Sequence, residues 1–363
     1  MKIIEQRLFF CFFLFTIFLL LVSCHEETKT DTEFYVPVEN SRLYVRLVGN
    51  TEGPLIINLH GGPGAFSGFA HEFNRKYLEE DYLFAYLDQR GGGKSDGVTD
   101  SAMLTMKQFV VDLDVVVDSL QKKFKGKNIN LIGSSWGGTL GLLYMIKHQE
   151  KITSFASVSG KADGLYPIMA LIQHERQLAT KRIENSEDSV AKDRYREILA
   201  KLKEIEESDF NQFFNDMNLL KHKFTEELGF NAYWANRKAK EVAVELGKDS
   251  AYYERAHYTK AEFDEAMEKY EFVNRVFRNT TAYNHLDIID EIAVINKPVL
   301  VVQGEYDYAI GVKQANMIYD ALTGVPKDKK ELHIIPNAAH NLNIEAPDHY
   351  YEIVKSFFDK YNN

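Results

Sequence analysis

The chain has 363 residues, 45% of them apolar and 26% charged, which suits one large domain with an insertion or two domains. A formal net charge of −10 argues against general nucleic-acid binding, which needs a basic face. The two cysteines are Cys11 and Cys24, so everything after residue 24 lacks both a disulfide and a thiol nucleophile.

In chain order, Lys2 and Arg7 precede an almost unbroken apolar run from Leu8 to Val22. That pattern fits a secretory signal better than a spanning helix. The run ends Leu21-Val22-Ser23-Cys24, which resembles a bacterial lipobox. The resemblance implies cleavage before Cys24, diacylglyceryl attachment to its thiol and acylation of the new N-terminus. Several acyl chains anchor stably where one would not. The expectation is therefore a signal peptide over 1–23, a lipidated cysteine and polar tether over 24–32, and a bacterial envelope lipoprotein, periplasmic or surface-exposed.

Phe34 to Val38 and Arg42 to Val48 alternate polar and apolar residues around Glu39-Asn40, predicting an antiparallel hairpin. Leu55 to Leu59 and Leu83 to Leu87 read as buried central strands. Met106 to Phe124 has helical periodicity, with Phe109, Leu113, Val116, Val117 and Leu120 on one face. Ile129 to Ile132 predicts a strand, Thr139 to His148 a helix and Ile152 to Val158 another strand. This alternation predicts a mostly parallel sheet flanked by helices. It stops near Gly160, and 161–285 reads as an inserted helical cap. Helices are expected over Glu184–Glu207, on the flanks of Phe213-Phe214, and over Trp234–Glu245 and Ala261–Arg278. The parallel pattern resumes with strands Pro298–Val302 and Glu331–Ile335 and helices Val312–Leu322 and Ala346–Tyr361. The core is thus expected in two parts, 33–160 and 286–363.

Gly133-Ser134-Ser135-Trp136-Gly137 lies between a strand and a helix, the nucleophile-elbow pattern of serine α/β hydrolases. Asp307 and His340 each follow a later predicted strand, in the chain order Ser, Asp, His of that fold. Ser135 is the expected nucleophile, His340 its general base and acid, and Asp307 the carboxylate that fixes the imidazole; Glu305 is a rival for Asp307. The backbone N–H of Trp136 and one from His60-Gly61-Gly62-Pro63-Gly64 are expected to hold the oxyanion. Gly62 is the first choice there and Gly61 the second, since Pro63 has no N–H. His60 reads as structural, and the Trp136 side chain as a wall of the first pocket.

Three motifs, residues 60–64, 88–95 and 133–140, carry a more specific likeness. His-Gly-Gly-Pro-Gly, Asp-Gln-Arg-Gly-x-Gly-x-Ser and Gly-x-Ser-Trp-Gly-Gly-Thr-Leu together resemble the proline iminopeptidase family. The resemblance implies an α/β hydrolase core with a helical cap, an acyl-enzyme mechanism without metal or cofactor, and release of an N-terminal residue, often proline. It also implies a polar bracing network at Asp88 and Arg90. Glu268, ahead of Phe272-Val273-Asn274, matches a family glutamate that binds the substrate amine. Trp234 is followed by Ala235 where some members supply another amine-binding glutamate, and Asn337-Ala338-Ala339-His340 replaces the more usual Gly-x-Gly-His. The expected partners are a peptide or small acyl substrate and, through the lipid anchor, a membrane. An esterase or amidase acting on a small acyl group is the alternative, and a non-catalytic binding lipoprotein the alternative of a different class. Carboxylates converging opposite Ser135 would separate the peptidase from the esterase.

Overall fold

A computed structural model describes residues 28–98, 100–208, 216–217 and 219–362. The expected signal peptide (1–23) and lipidated Cys24 lie outside the described residues, as do Phe213 and Phe214. Eight strands form one sheet: β1 (Lys29–Val38), β2 (Ser41–Asn50), β3 (Leu55–Leu59), β4 (Leu83–Leu87), β5 (Ile129–Ser134), β6 (Phe155–Val158), β7 (Val299–Gly304) and β8 (Lys330–Ile335). Their spatial order is β1-β2-β4-β3-β5-β6-β7-β8. β2 pairs antiparallel with β1 and β4, and all other pairs are parallel. The hairpin begins at Lys29, inside the expected tether, because Thr30 and Thr32 pair with Gly49 and Leu47. β-branched residues suit that extended, half-exposed edge.

Among the described residues the α-helices of six residues or more are α1 (Gly68–Tyr77), α2 (Met106–Lys123), α3 (Trp136–His148), α4 (Tyr166–Asn185), α5 (Ser189–Glu207), α6 (Arg237–Leu246), α7 (Ser250–Arg255), α8 (Lys260–Arg278), α9 (Val312–Ala321) and α10 (Pro347–Asn362). α2 buries Phe109, Leu113, Val116, Val117 and Leu120, the face expected from its periodicity. Each such side chain contributes about 1.5–3 kcal/mol relative to leaving it exposed. It joins one apolar cluster with α3 and α9, while α10 closes a second with Phe84, Leu300 and Val302 on the other side of the sheet. Between β6 and β7 the described residues include α4 to α8, with their own apolar cluster drawn from Ile168 to Leu228.

Four helices depart from the expected periodicity or bounds. The buried positions of α1 are Gly68, His71 and Asn74, so no apolar stripe marks it. His71 is held by Glu79 at 2.8 Å, and Asn74 accepts from the Tyr351 hydroxyl at 3.0 Å. α4 starts at Tyr166, well before the expected Glu184, and a fresh helix starts after Asp188, whose carboxylate caps Val190 and Ala191. α6 starts at Arg237 rather than Trp234, because the Asn236 side chain caps Lys238 and Ala239.

The order reverses between β3 and β5, where chains leave neighbouring strands toward opposite sides. A crevice opens outside the carboxyl ends of parallel strands at such a point. Leu59 sits opposite Gly133 there, so the segment after β3 and the turn after β5 emerge side by side.

Candidate active site

Ser135 occupies the turn between β5 and α3 with φ 55° and ψ −118°. A non-glycine residue there is strained, and the surroundings must hold it. The flanking glycines permit that turn. A Cβ on Gly133 would lie 2.1 Å from the Gly137 carbonyl oxygen, and one on Gly137 would lie 2.0 Å from that of Leu59. The Ser135 N–H donates to Val158 at 2.8 Å, tying the turn to β6. The segment after β3 passes close by: a Cβ on Gly61 would meet that of Ser135 at 3.2 Å.

Polar side chains brace this segment from behind. The Gln89 N–H donates to His60 Nε2 at 3.0 Å, so the ring hydrogen sits on Nδ1 and donates to the Gly61 carbonyl at 2.8 Å. Burial pushes His60 below its ordinary value, keeping the ring neutral although Asp88 opposes this. The Gln89 side chain donates to the His60 carbonyl at 2.9 Å and accepts from Trp136 Nε1 at 2.8 Å. Asp88 accepts from Ser67, Lys94 and Tyr258, and Arg90 makes a bidentate pair with Asp112 at 2.7 and 2.8 Å. Asp88 and Arg90 therefore form buried internal bonds, and Gln89 between them couples both motifs around Ser135. The signal for Gln89 lay inside the second motif, but nothing in the sequence shows what an amide there touches.

Asp307 follows β7 and is 2% exposed. Its Oδ1 accepts the N–H groups of Ala309 and Ile310 at 2.9 and 3.0 Å. Its Oδ2 accepts from Gln303 at 2.6 Å and from His340 Nδ1 at 2.8 Å. A carboxylate so supplied only accepts, so the His340 hydrogen sits on Nδ1 and Nε2 keeps a free lone pair. Burial pulls the His340 pKa down, but the Asp307 charge and hydrogen bond outweigh it and raise it above 6.5. Glu305 is exposed and accepts from the Asn337 N–H at 3.0 Å, while the His340 ring bonds Asp307. Asn337 takes φ 57° in the turn before His340, where the chain lacks the usual glycine. Ser159, at the end of β6, has its hydroxyl 3.5 Å from the His340 carbonyl oxygen.

The Trp136 ring is 2% exposed and packs edge-on against Phe109, Phe277 and Tyr283. It therefore belongs to the core rather than to an open pocket wall, because Gln89 and three aromatic neighbours cover it. Glu268 is exposed on α8 and makes no hydrogen bond or ion pair with any described residue. Further along α8 the side chains turn inward: Val273 lies against Gly64 and Gly91, and Asn274 donates to the Pro63 carbonyl at 3.4 Å. A shallow depression of about 510 Å³ lies at the other end of the sheet, between Lys127, Lys151 and Pro298. It sits at the amino ends of the strands, away from Ser135, Asp307 and His340.

A family model described as the alpha/beta hydrolase fold matches residues 54–347, and the chain belongs to this family. Its curated relatives include proline iminopeptidases, which bears out the likeness read from the three motifs and supports a hydrolytic enzyme. That of Xylella fastidiosa is 28% identical over 85% of this chain and 91% of its own length. That of Chitinophaga pinensis is 31% identical over 36% of this chain, a match spanning 44% of that relative. The crystal structure of a proline iminopeptidase-related protein from Thermus thermophilus is similar with a TM-score of 0.61 at 20% identity, covering 92% of this chain and 99% of that one. At that identity the likeness concerns the fold.

Proposed function

We propose that this chain is a serine hydrolase that acts through an acyl-enzyme, most simply an aminopeptidase releasing proline or another small or apolar residue from the N-terminus of a peptide. The observation that carries this reading is the His340–Asp307 hydrogen bond of 2.8 Å, set at the strand ends that also hold the strained Ser135. Ser135 Oγ attacks the scissile carbonyl while His340 Nε2 takes its proton. His340 then delivers that proton to the leaving amine, and water repeats the sequence on the ester. Asp307 holds the tautomer and stabilises the imidazolium. Trp136 offers its N–H from the first turn of α3. Gly62 is the second oxyanion donor: His60 fixes the Gly61 carbonyl, and in a trans peptide the following N–H points the opposite way.

A second reading, an esterase or amidase for a small acyl group, draws support from Glu268, which is exposed and meets no described partner. The deciding assay uses the full chain and compares prolyl amides with free and with blocked amino groups against a neutral nitrophenyl ester. A free-amine requirement supports the aminopeptidase, and equal use of blocked substrates the esterase. Full hydrolysis by Ser135→Ala would overturn both. We also propose lipid anchoring at Cys24 in a bacterial envelope, on the lipobox-like sequence alone. Fatty-acid labelling of the expressed chain that persists in Cys24→Ala would overturn it.

A further inference from the structure

Around His340 and Trp136 stand three cations, Lys161, Lys221 and Arg278, none of them in an ion pair with a described residue. Lys161 follows β6 and is 8% exposed. Its Nζ lies 3.8 Å from the centroid of the Tyr283 ring and donates to the Tyr283 carbonyl at 3.4 Å. Tyr283 in turn packs against Trp136, at 5.8 Å between ring centroids, next to Ser135. On the other side, the Tyr233 ring stands edge-on to His340 at 5.5 Å. The Tyr233 carbonyl accepts the His340 N–H at 3.2 Å. Lys221 Nζ lies 5.5 Å from the Tyr233 ring and donates to the Ala309 carbonyl at 3.2 Å. The positive charge of Arg278, the last residue of α8, acts on the Tyr233 side chain.

Among the described residues, none of these three cations forms an ion pair. Asp163 acts on Lys161, but its Oδ1 accepts the N–H groups of Leu165 and Tyr166. Asp307 is committed to His340, Gln303 and two backbone N–H groups. Glu268 and Glu271 are exposed on α8. The shortage of negative charge shows in the neighbours. Burial, then Lys221 and Arg278, push the Lys161 ammonium down to about 7. Burial would raise Tyr233, yet Lys221, Arg278 and His340 outweigh it and bring the phenol down to about 8. Desolvated cations are costly without a counter-charge, and that cost falls when an anion enters among them.

We infer that Lys161, Lys221 and Arg278 form an anion subsite, and that the substrate carries a carboxylate close to its scissile bond. The inference rests on Ser135 as nucleophile and names the substrate class that the proposed site takes. The carboxylate has two possible sources. It is the C-terminus of a dipeptide, held on the leaving-group side beside His340, or an acidic side chain on the acyl residue.

Binding separates this inference from the catalytic reading. Ser135→Ala full chain is titrated by calorimetry with Pro-Ala, with Pro-Ala amide, and with glutamyl- and glutaminyl-amides. The free carboxylate tightens binding at least about tenfold, as charge-assisted contacts to a desolvated cation do. Preference for Pro-Ala over its amide assigns the leaving-group side, and preference for glutamyl over glutaminyl the acyl side. Lys161→Met and Lys221→Met, each checked for native circular dichroism, reduce that ratio toward one. Equal affinities for charged and neutral ligands overturn the inference, as does a preference that both variants keep. Hydrolysis of a neutral ester by the unmodified chain, lost in Ser135→Ala, tests the catalytic reading on its own.

Discussion

Glu175 offers a stringent test of the helical segment between β6 and β7. It is 0% exposed on α4, on the face shared with Leu171, Ile172 and Ala179. Neither carboxyl oxygen has a hydrogen-bond partner among the described residues. Burial alone pushes its pKa from the ordinary 4.5 up to about 9. At pH 7 the folded chain therefore keeps a proton that the unfolded chain releases. The cost to folding is set by the distance of the pH above 4.5, at 1.36 kcal/mol per unit, or about 3 kcal/mol at pH 7. The sign follows: this penalty is absent below pH 4.5, grows as pH rises, and levels off above about 9. Glu175→Gln keeps a neutral polar group of the same size and removes the titration. Its melting temperature is expected to exceed that of the unmodified chain by on the order of 5 °C at pH 7. The gap closes toward pH 4.5. Parallel melting curves for the two proteins from pH 4.5 to 8 would refute the reasoning, because they would leave Glu175 ionised in both states.

Asp307→Asn is expected to lower kcat by about 10⁴, since an amide no longer fixes the tautomer with Nε2 free; steady-state hydrolysis with near-native circular dichroism checks it. Activity in the unmodified chain falls as pH drops through the raised His340 pKa, because the base must be neutral to accept the serine proton. In Asp307→Asn that acid limb of kcat/KM moves to lower pH, and a limb that stays in place contradicts the assignment. The stability effect has the opposite sense: the His340–Asp307 pair contributes fully below 6.5 and is lost as pH rises through the folded-state value. Gln89→Leu removes the link between His60 and Trp136 and leaves the Trp136 ring N–H unpaired. Its kcat is expected to fall about tenfold or more, with KM little changed, as one oxyanion donor drifts.

The central strands were legible because parallel strands buried on both faces read as unbroken apolar runs. The elbow was legible because two close backbone approaches demand glycine at fixed offsets from Ser135. Asp307 and His340 could be placed by chain order after those strands. The helical segment was far less legible. Its helices pack on one another through short stripes, and α4 hides Glu175 on its buried face. Lys161, Lys221, Tyr233 and Arg278 come from four separate stretches of chain, and each alone reads as an ordinary basic or aromatic residue. Only the fold sets Lys221 and Arg278 to act on Tyr233 beside His340, and Lys161 against Tyr283. Glu268 shows the reverse: a local sequence match pointed to it, but it is exposed on α8, and one helical position decides whether a side chain meets solvent or the cleft.

α8 connects the choice of substrate to the chemistry. Its Val273 fills the space left by Gly64 and Gly91, and its Asn274 holds the Pro63 carbonyl, so the helix bears directly on the segment that carries Gly62. One turn further on, Arg278 meets Tyr233, which stands against His340. A charge that draws Arg278 inward therefore pulls on the helix that braces the oxyanion segment. A neutral substrate leaves this link unused. Interactions with a remote substrate group raise kcat only where they are felt at the reacting centre. A single rigid helix touching the anion subsite at one point and the Gly62 segment at another supplies that connection. Selectivity for a charged substrate should accordingly appear in kcat as well as in KM.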